Sequence, residues 1–319
     1  MTKPTKFIAP SIIWSAWKTL KGTYSATVTV PEILITGSNN GIGREAAVQF
    51  VKRDANLILA CQQPPSYETH PGQVIEECKA AGEAYGQYQI VEWWECDMAD
   101  LSSVEALAKR WIESGRPLDV LVNNAGMSQR SGKVVLTKDG FELCHQVNFL
   151  SNTLLTLRLL PFIAKAPSPR IICTTSCFHY LGIYDLSNVN AGTRAYSDNK
   201  LYFQIWLSDL QLRLLRHPDY DHIVVHGVHP GYVKSSISKP VDKSNTTQGN
   251  IDPVFWALST LFICFAIDSY QGSLALVNAA TMPEFGLQAA GTDEFRGGAG
   301  YFNRIWMDDP SPYTRDATS

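Results

Sequence analysis

Tyr196 and Lys200 stand four residues apart in "YSDNK", a spacing that places both side chains on one face of a helix. An isolated tyrosine keeps its proton to a pH of about 10. A neighbouring cation favours the phenolate, so this pair can give a proton to an oxygen, or take one from it, nearer neutrality. Ser176, twenty positions upstream at the end of "RIICTTS", could hold such an oxygen by a hydrogen bond. A proton at oxygen is half of an alcohol–carbonyl interconversion; the other half is a hydride, which protein side chains do not carry and a dinucleotide does. Alone, a tyrosine and a lysine four apart would read as an ordinary amphipathic helix surface.

The hydride half has its own signature. "TGSNNGIGRE" places Thr36, Gly37, Ser38, Asn40, Gly41, Ile42, Gly43 and Arg44 between an apolar run and a helical pattern. A helix start offers unpaired N–H groups and a partial positive charge, and glycine lets a pyrophosphate approach the backbone with no Cβ in the way. A glycine pattern by itself is weak evidence; its place between a strand and a helix strengthens it.

The elements that must position these groups alternate along the chain. β-rich runs occur at 32–38, 56–62, 88–97, 118–125, 170–176 and 222–230, apolar almost throughout, as in strands buried on both faces. Helical patterns lie at 41–53, 70–82, 101–115, 139–163 and 195–216, the third capped by Asp100 or Ser102 with Glu105 across the first turn. This alternation predicts an α/β fold, a single Rossmann-type doubly wound parallel sheet with helices on both faces. It assigns residues 31–319 to one catalytic domain and residues 1–30 to an extension. "NNAG" at 123–126 (Asn124, Ala125, Gly126), Ser176 and "HPGYVKSS" (Pro230, Gly231, Val233, Ser235) all fall at strand ends, the sheet edge where such folds bind ligands.

Composition narrows the partners. A net charge of −3 over 319 residues gives no footprint for nucleic acid. Seven cysteines without a C-x-x-C pair fit a reducing compartment, hence a cytoplasmic location, and neither they nor the seven histidines have metal-ligand spacing, so no metal is expected. Residues 1–30 carry four lysines and no acid around "FIAPSIIWSAW". They read either as a helix packed on the domain or as peripheral contact with an intracellular membrane. "FWALSTLFICFAI" at 255–267 has thirteen residues, about 20 Å of helix, and is too short for a hydrocarbon core of about 30 Å. With the polar "SISKPVDKSNTTQGNIDP" before it, the stretch 236–268 reads as a flap over a pocket.

Taken together and in order, the glycine motif, NNAG, the serine, Y-x-x-x-K and PG resemble the short-chain dehydrogenase/reductase family over about residues 32–280. "NLILAC", "CDMADLSSV", "LDVLVNNAGM" and "VHPGYVKSSI" resemble its retinol-dehydrogenase and WW-domain-oxidoreductase-like branch. The resemblance implies a catalytic tetrad of Asn148, Ser176, Tyr196 and Lys200. In it Asn148 anchors a relay water and Lys200 also binds the nicotinamide ribose. It implies that Asp97 and Met98 flank the adenine, and that a homodimer could form through the helices after strands four and five.

Cofactor choice is expected at the end of the second strand, where "CQQ" offers Gln62 and no acid. Arg44 could bind a 2′-phosphate, so NADP(H) is preferred, with NAD(H) the other choice. A cation in the first turn of a helix is unfavourable unless an anion lies nearby. Ser176 and Tyr196 are farther apart than the family's usual dozen or so positions, and residues 177–195 form an aromatic and polar insertion. With Phe255, Trp256, Leu258 and Phe262 it predicts a wall for a large apolar carbonyl or alcohol: lipid, retinoid, sterol or polyketide-like. The alternative is a catalytically silent NADP-binding regulatory or scaffold protein, although such proteins normally lose the tyrosine or the lysine.

Overall fold

A computed structural model describes residues 30–314 except 67, 129–133, 186, 188–189, 191–194, 235–265, 287–299, 305 and 312–313. The extension 1–29, most of the 236–268 stretch with Phe255, Trp256, Leu258 and Phe262, and Ser235 therefore lie outside the described residues.

Six strands appear where apolar runs stand in the sequence: β1 Glu32–Thr36, β2 Asn56–Cys61, β3 Val91–Glu95, β4 Val120–Asn123, β5 Arg170–Thr174 and β6 Val224–His229. Each of these ends one or two residues before its apolar run does, because the residues just past the strand leave the ladder for the ligand edge. β7 Gly300–Asn303 and β8 Trp306–Asp308 complete an eight-stranded sheet in the order β3-β2-β1-β4-β5-β6-β7-β8. It is parallel except for the β7–β8 pair. The order reverses between β1 and β4, so a crevice opens there at the strands' carboxyl ends.

Helices cover both faces. α1 Gly41–Val51, α2 Pro71–Glu83 and α6 Ser269–Thr281 supply one core layer, with Phe50, Val74 and Leu276 packed on Ile35, Leu59 and Val122. α3 Leu101–Ser114, α4 Ser151–Ile163 and α5 Ala195–Leu214 supply the other, where Trp111, Leu159 and Phe203 meet Leu34, Ile58 and Leu121. Asp100 caps α3, accepting from the Ser102 N–H, as expected. The predicted helix 139–163 is broken into a short turn Leu143–His145, a π-helical turn Gln146–Leu150, and α4.

Candidate active site

The glycine loop shows why it must be bare. Gly37 and Gly41 have φ of 62° and 55°, a region that penalises any Cβ. Gly43 is barred from a side chain by packing instead, since a Cβ there would lie 2.2 Å from the Gly37 carbonyl oxygen and 2.6 Å from Asn124 Nδ2. The start of α1 has no acidic residue in its first turn, and its N-cap, Asn40, makes no side-chain capping bond. By contrast His70, Asp100 and Asp268 cap α2, α3 and α6. The first N–H groups of α1 thus remain directed at the crevice, which fits a pyrophosphate.

Side chains tie this loop to the neighbouring strand. Thr36 Oγ1 accepts from the Asn124 and Ala125 N–H groups at 3.0 and 2.9 Å. Asn124 Nδ2 donates to the carbonyls of Thr36 and Gly37, both at 3.1 Å. The Thr174 hydroxyl at the end of β5 donates to Asn124 Oδ1 at 3.2 Å. Lys200 Nζ in turn donates to the Thr174 carbonyl at 2.7 Å. A Cβ on Gly126 would lie 3.6 Å from Lys200 Nζ and 3.2 Å from Asn148 Oδ1. The glycine motif, NNAG, β5 and the lysine therefore form one bonded chain across the sheet edge.

Asn148 sits in the π-helical turn, a break often found at functional sites. Its side chain accepts from the Met127 N–H at 2.7 Å and donates to the Met127 carbonyl at 2.8 Å, which pins the loop after β4. Ser176 is buried and caps the short 3₁₀ turn Cys177–Leu181. The half-buried Tyr196 opens α5, with Lys200 Nζ 5.7 Å from its ring centroid. Phe178 packs edge-on against Tyr196 at 5.9 Å and Tyr232 at 6.3 Å, an aromatic corner that no spacing in the sequence reveals.

Electrostatics corrects one expectation. Burial pulls the Lys200 ammonium down to about 8, and burial also pushes the Tyr196 phenol up, opposed by the Ser176 hydroxyl. In the chain alone, desolvation rather than the lysine's charge decides where Tyr196 titrates.

Two more expectations change. The anion that the Arg44 position calls for is supplied by Glu77 on α2, which binds the guanidinium through two bonds, one of them Nε to Oε2 at 2.8 Å. The insertion after Ser176 is only partly pocket wall. His179 Nδ1 lies 2.6 Å from the Ser176 carbonyl oxygen and its Nε2 accepts from the Ser311 N–H at 3.0 Å. With Tyr180 bonded to the Asp309 carbonyl, the insertion fastens Ser176 to the C-terminal segment. Tyr184 packs on Tyr202 at 5.8 Å.

The other expected contacts lie along the same edge. Gln62 is exposed just past β2, Asp97 and the buried Met98 follow β3, and Ser38 and Ile42 flank the glycines. Pro230 and Gly231 follow β6, where Gly231 has a φ of 95°. Val233 bridges Ile267, while Lys234 N–H donates to the Ile267 carbonyl and Ile267 N–H to that of Tyr232. The chain entering the undescribed 235–265 stretch is thereby joined to the chain leaving it. Among the described residues no group of three or more His, Cys, Asp or Glu could hold a metal ion, and no helix is long and apolar enough to cross a membrane.

Comparison with known proteins bears on this arrangement. The family model described as short chain dehydrogenase matches residues 31–246. Human retinol dehydrogenase 13 is 30% identical over 242 residues, 73% of this chain and 69% of that protein. Human retinol dehydrogenase 14 is 28% identical over 77% of this chain and 74% of its own length. Among solved structures, a short chain dehydrogenase from Burkholderia cenocepacia in complex with NADP aligns with a TM-score of 0.57 at 24% identity, covering 82% of this chain and 94% of that one. The Pseudomonas aeruginosa RhlG/NADP complex aligns at 0.58 and 19%, covering 86% and 94%. At these identities the two structures speak to the fold alone.

Proposed function

The chain belongs to the short-chain dehydrogenase family, oxidoreductases acting on CH–OH groups, and from that premise we propose that it interconverts an alcohol and a carbonyl on an apolar substrate by tyrosine-assisted hydride transfer. The observation that carries the reading is the bonded chain from Thr36 through Asn124 and Thr174 to Lys200, which sets proton-transfer groups beside a bare phosphate-binding loop.

A nicotinamide dinucleotide supplies or accepts the hydride when bound. The rest falls to this chain's residues. The loop N–H groups and the open start of α1 would hold its pyrophosphate. The Ser176 hydroxyl hydrogen-bonds the substrate oxygen, and Tyr196 gives that oxygen its proton in reduction or removes it in oxidation. Lys200, mostly charged at pH 7, would hold the nicotinamide ribose, and its charge would help the phenolate once a cofactor is bound; above about pH 8 that help fades. Asn148 fixes the loop after β4 through Met127, and the relay water would be anchored beside it.

The apolar substrate class rests on Phe178 and Tyr232 beside Tyr196 and on the retinol dehydrogenases among the relatives. NADP(H), favoured in the sequence through Arg44, loses that support because Glu77 holds the arginine. The reading of a reducing, cytoplasmic compartment rests on seven cysteines scattered along the sequence without a C-x-x-C pair. Peripheral membrane contact through residues 1–30 and a homodimer through α4 and α5 belong to the same proposal. A silent dinucleotide sensor is disfavoured by the retention of Ser176, Tyr196 and Lys200 together.

Tyr196→Phe tests the assignment. We expect kcat/KM for reduction of an apolar aldehyde such as a retinoid to fall about 10²–10⁴-fold, with cofactor affinity, read by energy transfer from tryptophan to reduced nicotinamide, unchanged. Retained turnover in the variant would overturn the role of Tyr196.

A further inference from the structure

We propose that Glu68 selects between the two nicotinamide dinucleotides, and that it selects NAD(H), the one without a 2′-phosphate. The inference rests on the oxidoreductase reading above and adds the residue that sets its cofactor choice.

In folds of this kind the adenosine ribose lies over the end of the second strand, beside the glycine loop. An acid about twenty residues past the glycines ordinarily binds its hydroxyls. Here Cys61, Gln62 and Gln63 occupy that place and provide no charge. The structure fills the place from elsewhere. The connection between β2 and α2 turns at Pro65, where Glu68 N–H donates to the Pro65 carbonyl at 2.9 Å, and this folds the Glu68 side chain back onto the glycine loop. Glu68 Oε2 accepts from Asn39 Nδ2 at 3.2 Å and from Asn40 Nδ2 at 3.1 Å. Asn40 is the N-cap residue immediately before α1. The carboxylate is close enough to the end of β2 to act electrostatically on the Cys61 thiol.

Both amides converge on one carboxylate oxygen, so Oε1 keeps its capacity to accept from ribose hydroxyls. Among the described residues no cation pairs with Glu68. The nearest first-turn cation on α1, Arg44, is held by Glu77. A 2′-phosphate brought to this corner would meet a carboxylate without a compensating cation, and selectivity by repulsion follows. A 2′-hydroxyl would meet an acceptor.

The test is a fluorescence titration of the full chain with NADH and NADPH, repeated on Glu68→Gln, which keeps the shape and removes the charge. We expect the wild-type chain to bind NADH at least about tenfold more tightly than NADPH, and the variant to compress that ratio by about tenfold, chiefly by binding NADPH better. Adenosine 5′-monophosphate should displace NADH from the wild-type chain far more readily than adenosine 2′,5′-diphosphate, which differs from it only by the 2′-phosphate, a measurement that depends on no variant folding. Tighter NADPH binding by the wild-type chain, a ratio unchanged in Glu68→Gln, or equal displacement by the two nucleotides overturns the role of Glu68 and leaves the oxidoreductase reading standing. Binding of neither dinucleotide to folded protein overturns that reading too.

Discussion

The sheet's ligand edge is built in two different ways. On the β1 side the work is done by the backbone: Gly37 and Gly41 adopt left-handed φ, Gly43 packs against the Gly37 carbonyl, and Thr36 and Asn124 bind main-chain groups. On the β5–β6 side it is done by side chains, with Ser176, Tyr196 and Lys200 at the candidate site and four histidines buried in the surrounding elements. Burial lowers all four, His145, His179, His226 and His229, with His226 brought to about 3 and His229 to about 4. A site for a fixed pyrophosphate needs shape, which glycine and backbone bonds give without titrating. A proton-transfer site needs groups of adjustable pKa, and these require desolvation and hence burial of polar side chains. The second half is therefore the one exposed to pH.

Acid gives the largest expected effect and should separate the halves. A histidine whose folded pKa lies below its usual 6.5 stays neutral in the fold and takes up a proton on unfolding. Stability is therefore full above pH 6.5 and falls as pH drops toward the folded value. Each such histidine contributes about 1.4 kcal/mol per pH unit across that window, so His226 and His229 together predict a loss of about 3 kcal/mol per unit between pH 6.5 and 4. Urea midpoints at pH 7.5, 6 and 5 measure it. A flat profile would remove the contrast.

Gly43→Ala strikes the other half. Its Cβ would press on main chain and on Asn124, and overpacking of this sort costs about 1–3 kcal/mol. Denaturation at pH 7.5 should show that loss, with dinucleotide affinity falling and acid sensitivity unchanged. An unaffected affinity would mean that loop geometry does not set binding. The smallest effect belongs to Arg44→Ala. The exposed Arg44–Glu77 pair should contribute less than about 1 kcal/mol, and NADPH affinity should move less than twofold. A large loss of NADPH affinity would return Arg44 to the phosphate site.

Much of this molecule is written locally. The apolar strand runs, the glycine loop, the Asp100 cap and the helical spacing of Tyr196 and Lys200 depend on residues within a few positions of one another, and periodicity and backbone freedom act at that range. α6 and β7 escaped such reading. α6 is apolar without a clear stripe because most of its surface is covered, and Gly300–Asn303 follows a glycine-rich stretch that resembles a loop until β6 pairs with it. The side-chain partnerships are not local at all. Arg44 meets Glu77 across 33 positions, Asn39 meets Glu68 across 29, and His179 meets Ser311 across 132. The sequence by itself determined which residues could bend, cap or carry a proton, because those are properties of the residue and its nearest neighbours. Which charge each one meets, and how far burial shifts its proton, was decided only by the tertiary structure, because Coulomb interaction and desolvation depend on distance in space and not along the chain.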